Sequence, residues 1–332
     1  MYLMIGDLHL TDNARDSYRF EIFDWIAKQQ AKRDPIATFL AGDLTDAKDR
    51  HSATLVNQVV EGLTSLKPPI YICRGNHDYR DPNNPFFKFL NNIDGLLLAI
   101  NPIVVGTSLK MAIIPHFRDQ DKFDSAVRGV SAANPAAFLV HQTFDGAIAE
   151  SGVRLTGLSA SLIESLKPPL GVYAGDVHRP QTSGIVTYIG CPYQVRFGDN
   201  FEPRSLWVAE DRDINLRFPA PRKWSLTISG PKGLKQDENL LEGDQVKLTV
   251  KLGREEAMNW KKIKKSVLEV CKQRNLQVYG LSLELEQTQT PKRIMVKGSN
   301  HASIFDQFNN SESLAPSVRA AGKKIMEGNH GN

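Results

Sequence analysis

Apolar residues along this chain gather in short unbroken runs that stop abruptly at polar, turn-forming residues. Met4-Ile5 leads into Gly6-Asp7-Leu8-His9, and Ile36 to Ala41 leads into Gly42-Asp43-Leu44-Thr45-Asp46. Ile70-Tyr71-Ile72-Cys73 leads into Arg74-Gly75-Asn76-His77-Asp78. Two later runs repeat the design: Ala136 to Val140 ends at His141, and Gly171 to Ala174 leads into Gly175-Asp176-Val177-His178. Runs of this length, rich in β-branched and aromatic residues and bounded by turn formers, read as strands buried on both faces.

Between the first three runs the period changes from two to that of a helix. Residues 17–32 place Phe20, Phe23 and Ala27 in one stripe, with Ile22 and Ile26 beside it. Residues 52–66 place Leu55, Val59 and Leu63 at i, i+4 and i+8. Asp34-Pro35 and Lys67-Pro68-Pro69 stop these helices. A βαβαβ rhythm implies parallel strands with helices covering the sheet.

Further along, Phe86 to Leu90 starts a short helix or flap, packed under the sheet edge or forming a lip that contacts nucleic acid. Residues 111–117 read as a strand, 159–166 as a short helix, and 184–193 and 205–211 as hairpin strands. Near Phe218-Pro219-Ala220-Pro221 the composition shifts. Beyond it, strands are expected over 224–228, 245–252 and 277–285, with a helix over 254–274 whose buried stripe is Trp260, Ile263, Val267 and Val270.

The ends of the five runs carry the chemistry. In open α/β sheets ligands bind outside the carboxyl ends of the strands. If those ends converge, they bring together Asp7, His9, Asp43, Asn76, His141, Asp176 and His178. Seven nitrogen and oxygen donors without a thiolate exceed one tetrahedral zinc and suit a pair of divalent ions such as Mn²⁺, about 3.5–4 Å apart and sharing a carboxylate. His77 is a proton shuttle near neutral pH. His116, inside a strand, reads as structural, and His51 as an exposed residue at a helix start.

Charge sharpens the picture. Residues 1–216 carry 21 Lys and Arg against 25 Asp and Glu, whereas residues 217–332 carry 20 against 12. The acidic excess belongs with metal binding and the basic half with an anionic polymer. Lys261, Lys262, Lys264 and Lys265 lie beside or opposite the buried stripe of the 254–274 helix. They are either a solvated face or phosphate contacts on DNA. Cys73, Cys191 and Cys271 lie far apart, which fits a reducing compartment and excludes a disulfide framework. The first residues show no secretory leader pattern, and no apolar run approaches the roughly 20 residues of a membrane span, so a cytoplasmic protein is expected.

The ordered set Asp-x-His, Gly-Asp-x-x-Asp, Gly-Asn-His-Asp, His, Gly-x-x-His resembles the calcineurin-like metallophosphoesterase superfamily over roughly residues 1–210. The segment Tyr188 to Asp199, after His178-Arg179-Pro180-Gln181, is similar to that of SbcD-type nucleases, the nuclease subunits of a DNA repair and recombination complex. Cys191 stands where serine is usual there, and the chain's length resembles compact forms encoded by bacteriophages.

The resemblance implies an α/β fold: a metallophosphoesterase β-sandwich flanked by helices over 1–216, a small α/β DNA-capping domain over 217–300, and a C-terminal tail over 301–332 that contacts an SbcC-like ATPase. It implies a homodimer, for which Leu55, Val59 and Phe86 to Leu90 are candidates as much as they are core. It also implies a Mn²⁺-dependent (or Mg²⁺-dependent) exonuclease on double strands and endonuclease on single strands. In that scheme Asp43 bridges two ions, one also held by Asp7, His9 and His178, the other by Asn76, His141 and Asp176. A hydroxide between the ions attacks phosphorus, His77 protonates the leaving oxygen, and the Asp46 carboxylate orients His77.

Asp176 departs from the usual histidine of the last motif. It either binds a hard cation or weakens the second site. Two alternatives remain: a small-molecule phosphodiesterase or phosphatase on the same core, and a non-catalytic scaffold for the ATPase. Ala47-Lys48 and Asp78 stand where Ser/Thr protein phosphatases have Arg-Gly and Glu, which argues against that branch.

Overall fold

The apolar runs are strands because both of their faces are covered, as the computed structural model shows. It describes residues 1–107, 109–209, 212–286 and 318. Strands β1 (Tyr2–Ile5), β2 (Ala37–Leu40), β3 (Ile70–Cys73) and β4 (Leu96–Ala99) lie parallel, in that order. A second sheet holds β5 (Ile103–Val105), β6 (Met111–Ile114), β7 (Ala137–His141), β8 (Val172–Gly175), β9 (Gln181–Ser183) and β10 (Val186–Tyr188), ordered β5-β6-β7-β8-β10-β9. The chain then returns to the first sheet through β11 (Ser205–Val208), antiparallel to β1, and β12 (Asp213–Leu216).

The side-chain alternation of β1 shows how the layers stack. Tyr2 and Met4 point between the sheets, where they meet Phe39, Ile113, Leu139, Tyr173 and Leu206. Leu3 and Ile5 point the other way, into a core shared with α1 (Glu21–Arg33) and α2 (Ala53–Thr64). On the far side, α3 (Gln120–Ser131) and α4 (Ser161–Leu166) cover the second sheet through Phe123, Val127 and Ile163. The result is a two-sheet sandwich with helices outside each sheet, the mixed α/β metallophosphoesterase architecture expected. Ser52 caps α2, its Oγ accepting the Leu55 N–H at 3.1 Å, and Leu55, Val59 and Leu63 are the buried stripe.

A third sheet, wholly parallel, follows. It is built from β13 (Lys223–Ile228), β14 (Gln245–Leu252) and β15 (Gln277–Leu285). With α5 (Pro231–Gln236), α6 (Arg254–Ala257) and α7 (Trp260–Gln273) it encloses its own core of Leu234, Val246, Leu248, Val267, Val270 and Cys271. Lys261, Lys262, Lys264 and Lys265 are exposed on α7. The tail expected over 301–332, and with it the ATPase contact assigned there, lies outside the described residues, residue 318 apart. Among the described residues no helix is long and apolar enough to cross a membrane.

Three expectations change. The single helix over 17–32 is a 3-10 helix, Ala14–Phe20, joined to α1. It begins earlier because the Asn13 side chain accepts the Arg15 N–H at 3.1 Å. The helix over 254–274 breaks between α6 and α7 at Met258, which is 87% exposed and leaves no apolar contact to carry the stripe across. Of the residues offered for a homodimer face, Leu55, Val59, Phe87 and Leu90 are core, because they fill the layer between α2 and the first sheet. Phe86 is half-buried and Phe89 is exposed.

Candidate metal centre

The strand ends meet at the top of the sandwich. Asp7 and His9 follow β1, Asp43 follows β2 and Asn76 follows β3. His141 ends β7, and Asp176 and His178 follow β8. All seven residues named from the strand ends are therefore brought together, four from the first sheet and three from the second.

Asp43 lies at the middle of the group. Its Oδ2 is 3.5 Å from His9 Nε2, and its Oδ1 is 3.4 Å from His141 Nε2. On the first side, His9 Nε2 is 3.0 Å from His178 Nε2. On the second, Asp176 Oδ1 is 3.7 Å from His141 Nε2 and accepts Asn76 Nδ2 at 3.0 Å. Asp7 sits between the sheets, with Oδ1 3.5 Å from His141 Nδ1 and Oδ2 accepting the Asp176 N–H at 3.0 Å.

Backbone shape makes this crowding possible. A Cβ on Gly75 would lie 2.2 Å from Asp43 Oδ1, and one on Gly42, at φ +116°, would lie 2.3 Å from His141 Nδ1. Only glycine leaves the room these side chains use.

The donor set fits divalent cations. Four buried polar atoms of the group have no hydrogen-bond partner: Asp7 Oδ1, His9 Nδ1, Asn76 Oδ1 and His141 Nε2. Buried polar groups are normally paired, so a cluster of orphans needs an explanation. His141 donates Nδ1–H to the Ala41 carbonyl at 2.7 Å, which fixes the tautomer and turns the Nε2 lone pair toward Asp43. Asn76 uses its NH₂ on Asp176 and keeps its carbonyl oxygen free.

Electrostatics agree. Burial pushes the Asp7 and Asp43 carboxyls well above the usual carboxylate range, with Asp78 adding to the rise at Asp43. Burial also lowers His9 to about 3 and lowers His178, so both rings are neutral ligands at pH 7. Two buried carboxyls held at such a cost, facing neutral imidazoles, are what cations would compensate. Two compact donor groups stand out by proximity, Asp7–His178–Cys191 and His9–Asp46–His77.

The residues given other roles divide. His77 is half-buried at the rim, 5.0 Å from the His9 ring, with its N–H donated to Asp43 Oδ1 at 2.7 Å. Its Nδ1 donates to the main-chain carbonyl of Asp46 at 2.7 Å, which leaves Nε2 as the unprotonated nitrogen of the neutral ring. The Asp46 carboxylate lies closer to His9 Nδ1, at 3.4 Å, than to His77 Nδ1, at 4.0 Å. Asp46 thus orients His77 through its backbone, which corrects the carboxylate contact expected. Its own pKa falls to about 2, chiefly from the neighbouring His9.

His51 is half-buried rather than exposed, because the Phe86 ring lies against it, tilted, with centroids 4.2 Å apart, and Thr45 Oγ1 bonds its Nε2 at 2.8 Å. His116 bonds the Tyr79 hydroxyl at 2.9 Å, with its ring 6.1 Å from that of His141.

Several supporting residues escape a reading of motifs. Asp78 receives three main-chain N–H groups, those of Asp43, Leu44 and Gly75. Thr143 donates to Asp176 Oδ2 at 2.6 Å, and Glu150 accepts the His178 N–H at 3.1 Å. Of these, only Asp78 had a sequence signal, as the last residue of Gly-Asn-His-Asp.

Comparison with known proteins agrees with this geometry. Residues 2–121 match the model of the family described as calcineurin-like phosphoesterase. The chain is also similar to exonuclease subunit 1 of Enterobacteria phage T4, at 22% identity over 241 residues, 69% of this chain and 70% of that protein.

Proposed function

From a chain that carries a calcineurin-like metallophosphoesterase domain, we propose a DNA nuclease that hydrolyses phosphodiester bonds with two divalent ions, Mn²⁺ foremost and Mg²⁺ in its place. The observation that carries the reading is Asp43, whose two oxygens face separate donor groups, His9 with His178 and His141 with Asp176. One carboxylate aimed at two clusters is the arrangement that a shared bridging ligand needs. Asp7 completes the first group, and Asn76, through its free carbonyl oxygen, completes the second. When bound, the ions supply an activated water and positive charge for the phosphate oxygens.

The chain's own residues do the rest. His77 presents Nε2 at the rim, where a phosphodiester resting on the centre would lie, and protonates the leaving oxygen there. Asp46 holds that ring through its carbonyl. The four lysines of α7 lie on a unit that caps the catalytic domain, where they contact the phosphates of a duplex without reading sequence. The similarity to a phage exonuclease subunit favours a nucleic acid over a small phosphodiester and is in keeping with a partner chain, and the resemblance to SbcD-type nucleases makes that partner an SbcC-like ATPase acting in repair and recombination. Dimerisation, if it uses the Phe86–Asn92 helix, uses Phe86 and Phe89, the aromatic residues there that the core does not absorb.

The test is a cleavage assay on a linear duplex and on a single-stranded circle, with Mn²⁺ or Mg²⁺, beside Asp43→Ala. Metal-dependent cutting that disappears in the variant supports the reading. Inert DNA together with metal-dependent hydrolysis of bis-p-nitrophenyl phosphate replaces it with the small-substrate alternative.

A further inference from the structure

Both main-chain polar groups of His9 are held. Its N–H donates to the Asp43 carbonyl at 2.8 Å. Its carbonyl accepts Nη1 of Arg19 at 2.6 Å. The residue needs this support, since its φ is +43°, a left-handed conformation that a β-carbon disfavours. Arg19 in turn donates Nη2 to the Val195 carbonyl at 3.0 Å and stands 3.4 Å from the Asp16 carboxylate.

The chain of contacts continues into the C-terminal unit. Lys223, the first residue of β13, donates Nζ to Asp16 Oδ1 at 3.0 Å and to the Val195 carbonyl at 3.1 Å. Lys223 and Arg19 therefore share two acceptors, Asp16 and the Val195 carbonyl. The side chains are buried, 3% exposed for Lys223, 4% for Arg19 and 10% for Asp16. Two cations against one carboxylate, away from water, form a costly arrangement that persists only with well-placed partners. A surface ion pair would join the two units with little energy or precision. This cluster joins them in a fixed geometry, and Arg19 carries it to the carbonyl of His9.

A second clasp between the same units offers a natural contrast. Tyr279 donates its hydroxyl to the Arg15 carbonyl at 2.5 Å, and Arg15 Nη1 donates to the Tyr279 carbonyl at 3.3 Å. It holds the C-terminal unit to the 3-10 helix by hydrogen bonds that do not pass through the side chains of His9, Arg19 or Asp16, and the Tyr279 ring, 5.9 Å from Lys223 Nζ, is kept when its hydroxyl is removed.

We propose that Lys223 is a positioning residue: through Asp16 and Arg19 it fixes the main chain of His9, so that seating of the C-terminal unit sets the metal affinity of the cluster formed by His9, His178 and Asp43. The metal centre is then incomplete without a residue from outside the sandwich that bears it. The inference rests on the reading of the strand ends as a metal site, and not on DNA as the substrate.

The test is Mn²⁺ uptake by the full chain, followed from the paramagnetic resonance of the free ion. Four variants are compared with wild type: Lys223→Met, Lys223→Arg, Asp16→Asn and Tyr279→Phe. Loss of a residue supporting a metal ligand costs about 10–100-fold in affinity, and Lys223→Met is expected to lose at least about 10-fold on that scale. Lys223→Arg keeps the charge and stays closer to wild type than Lys223→Met. Tyr279→Phe cuts the other clasp and binds like wild type.

A folded Lys223→Met protein with wild-type affinity overturns the proposal. So does a Tyr279→Phe protein as weak as Lys223→Met, since docking in general and not the relay would then govern the site. If Lys223→Met does not fold by circular dichroism, Asp16→Asn, which keeps the volume, is read in the same way. A wild-type chain that takes up no Mn²⁺ overturns the metal reading together with the relay.

Discussion

Asp78 accepts the main-chain N–H of Asp43 at 3.0 Å, and it does so with the same oxygen that receives the N–H of Gly75 at 2.6 Å. Its other oxygen takes the N–H of Leu44 at 2.8 Å. A buried carboxylate thus ties the loop after β2 to the loop after β3, and Asp43 stands at the knot. Asp78→Asn replaces one acceptor oxygen by a donor and leaves a buried N–H without a partner. The expected cost is about 1–3 kcal/mol, read from urea unfolding of the metal-free protein. Unchanged stability would mean that Asp78 does not organise the loop.

In the proposed mechanism His77 serves the chemical step rather than holding the ions, since its Nδ1 is already spent on the Asp46 carbonyl. His77→Ala is expected to lower the cleavage rate by about 10²–10⁴, the usual worth of a positioned general acid. Bound metal, counted by elemental analysis, stays at the wild-type level. Wild-type cutting by this variant would remove His77 from the mechanism and leave the metal centre standing.

Stripping the metal destabilises the fold. Asp7 and Asp43 are buried at 0% and 2% exposure, and without cations their carboxyls are either held protonated or left with uncompensated charge, at a cost in either case. A ligand present at a hundred times its dissociation constant adds about 2.7 kcal/mol. For domains of this size each kcal/mol is worth about 2–4 °C in Tm. Saturating Mn²⁺ is therefore expected to raise the Tm of chelator-treated protein by about 5 °C or more. A melting curve that ignores both chelator and metal would contradict the site.

The same carboxyls set the pH dependence of metal uptake. Burial raises Asp7 and Asp43, so the metal-free protein keeps protons there at pH values where ordinary aspartates have lost theirs. An incoming cation displaces those protons, and affinity therefore climbs as pH rises through the mildly acidic range. His9, at about 3, is neutral throughout and releases none. Calorimetry in buffers of different ionisation enthalpy measures the protons released. An affinity flat over about pH 5–7, with no protons released, would rule out this linkage.

Much of this was legible because the informative residues lie next to one another in sequence. A strand buried on both faces leaves an apolar run, and its last residue is followed at once by its ligand. For that reason β14 and β15 keep the bounds expected of them, and Asp7, His9, Asp43, Asn76, His141, Asp176 and His178 could be named before any fold was known. What stayed hidden depends on distance along the chain. Glu150 reaches His178 from 28 residues away and Lys223 reaches Asp16 from 207, and neither sits in a recognisable pattern. The Asp46 carboxylate was misjudged for a different reason: sequence shows that Asp46 and His77 are near one another, but not whether side chain or backbone makes the bond.

The division of the donors between the two sheets carries a consequence for the life of the chain. Asp7, His9, Asp43 and Asn76 come off the ribosome early, four of the seven donors with nothing to close the set. His141, Asp176 and His178 arrive only with the later strands β7 and β8 of the second sheet, and β11 must still turn back to pair with β1. An unfinished polypeptide, or a broken one that has lost its later strands, thus lacks part of the donor set that the proposed activity needs. For a protein whose proposed substrate is DNA, the order of the strands delays the complete site until synthesis is nearly over.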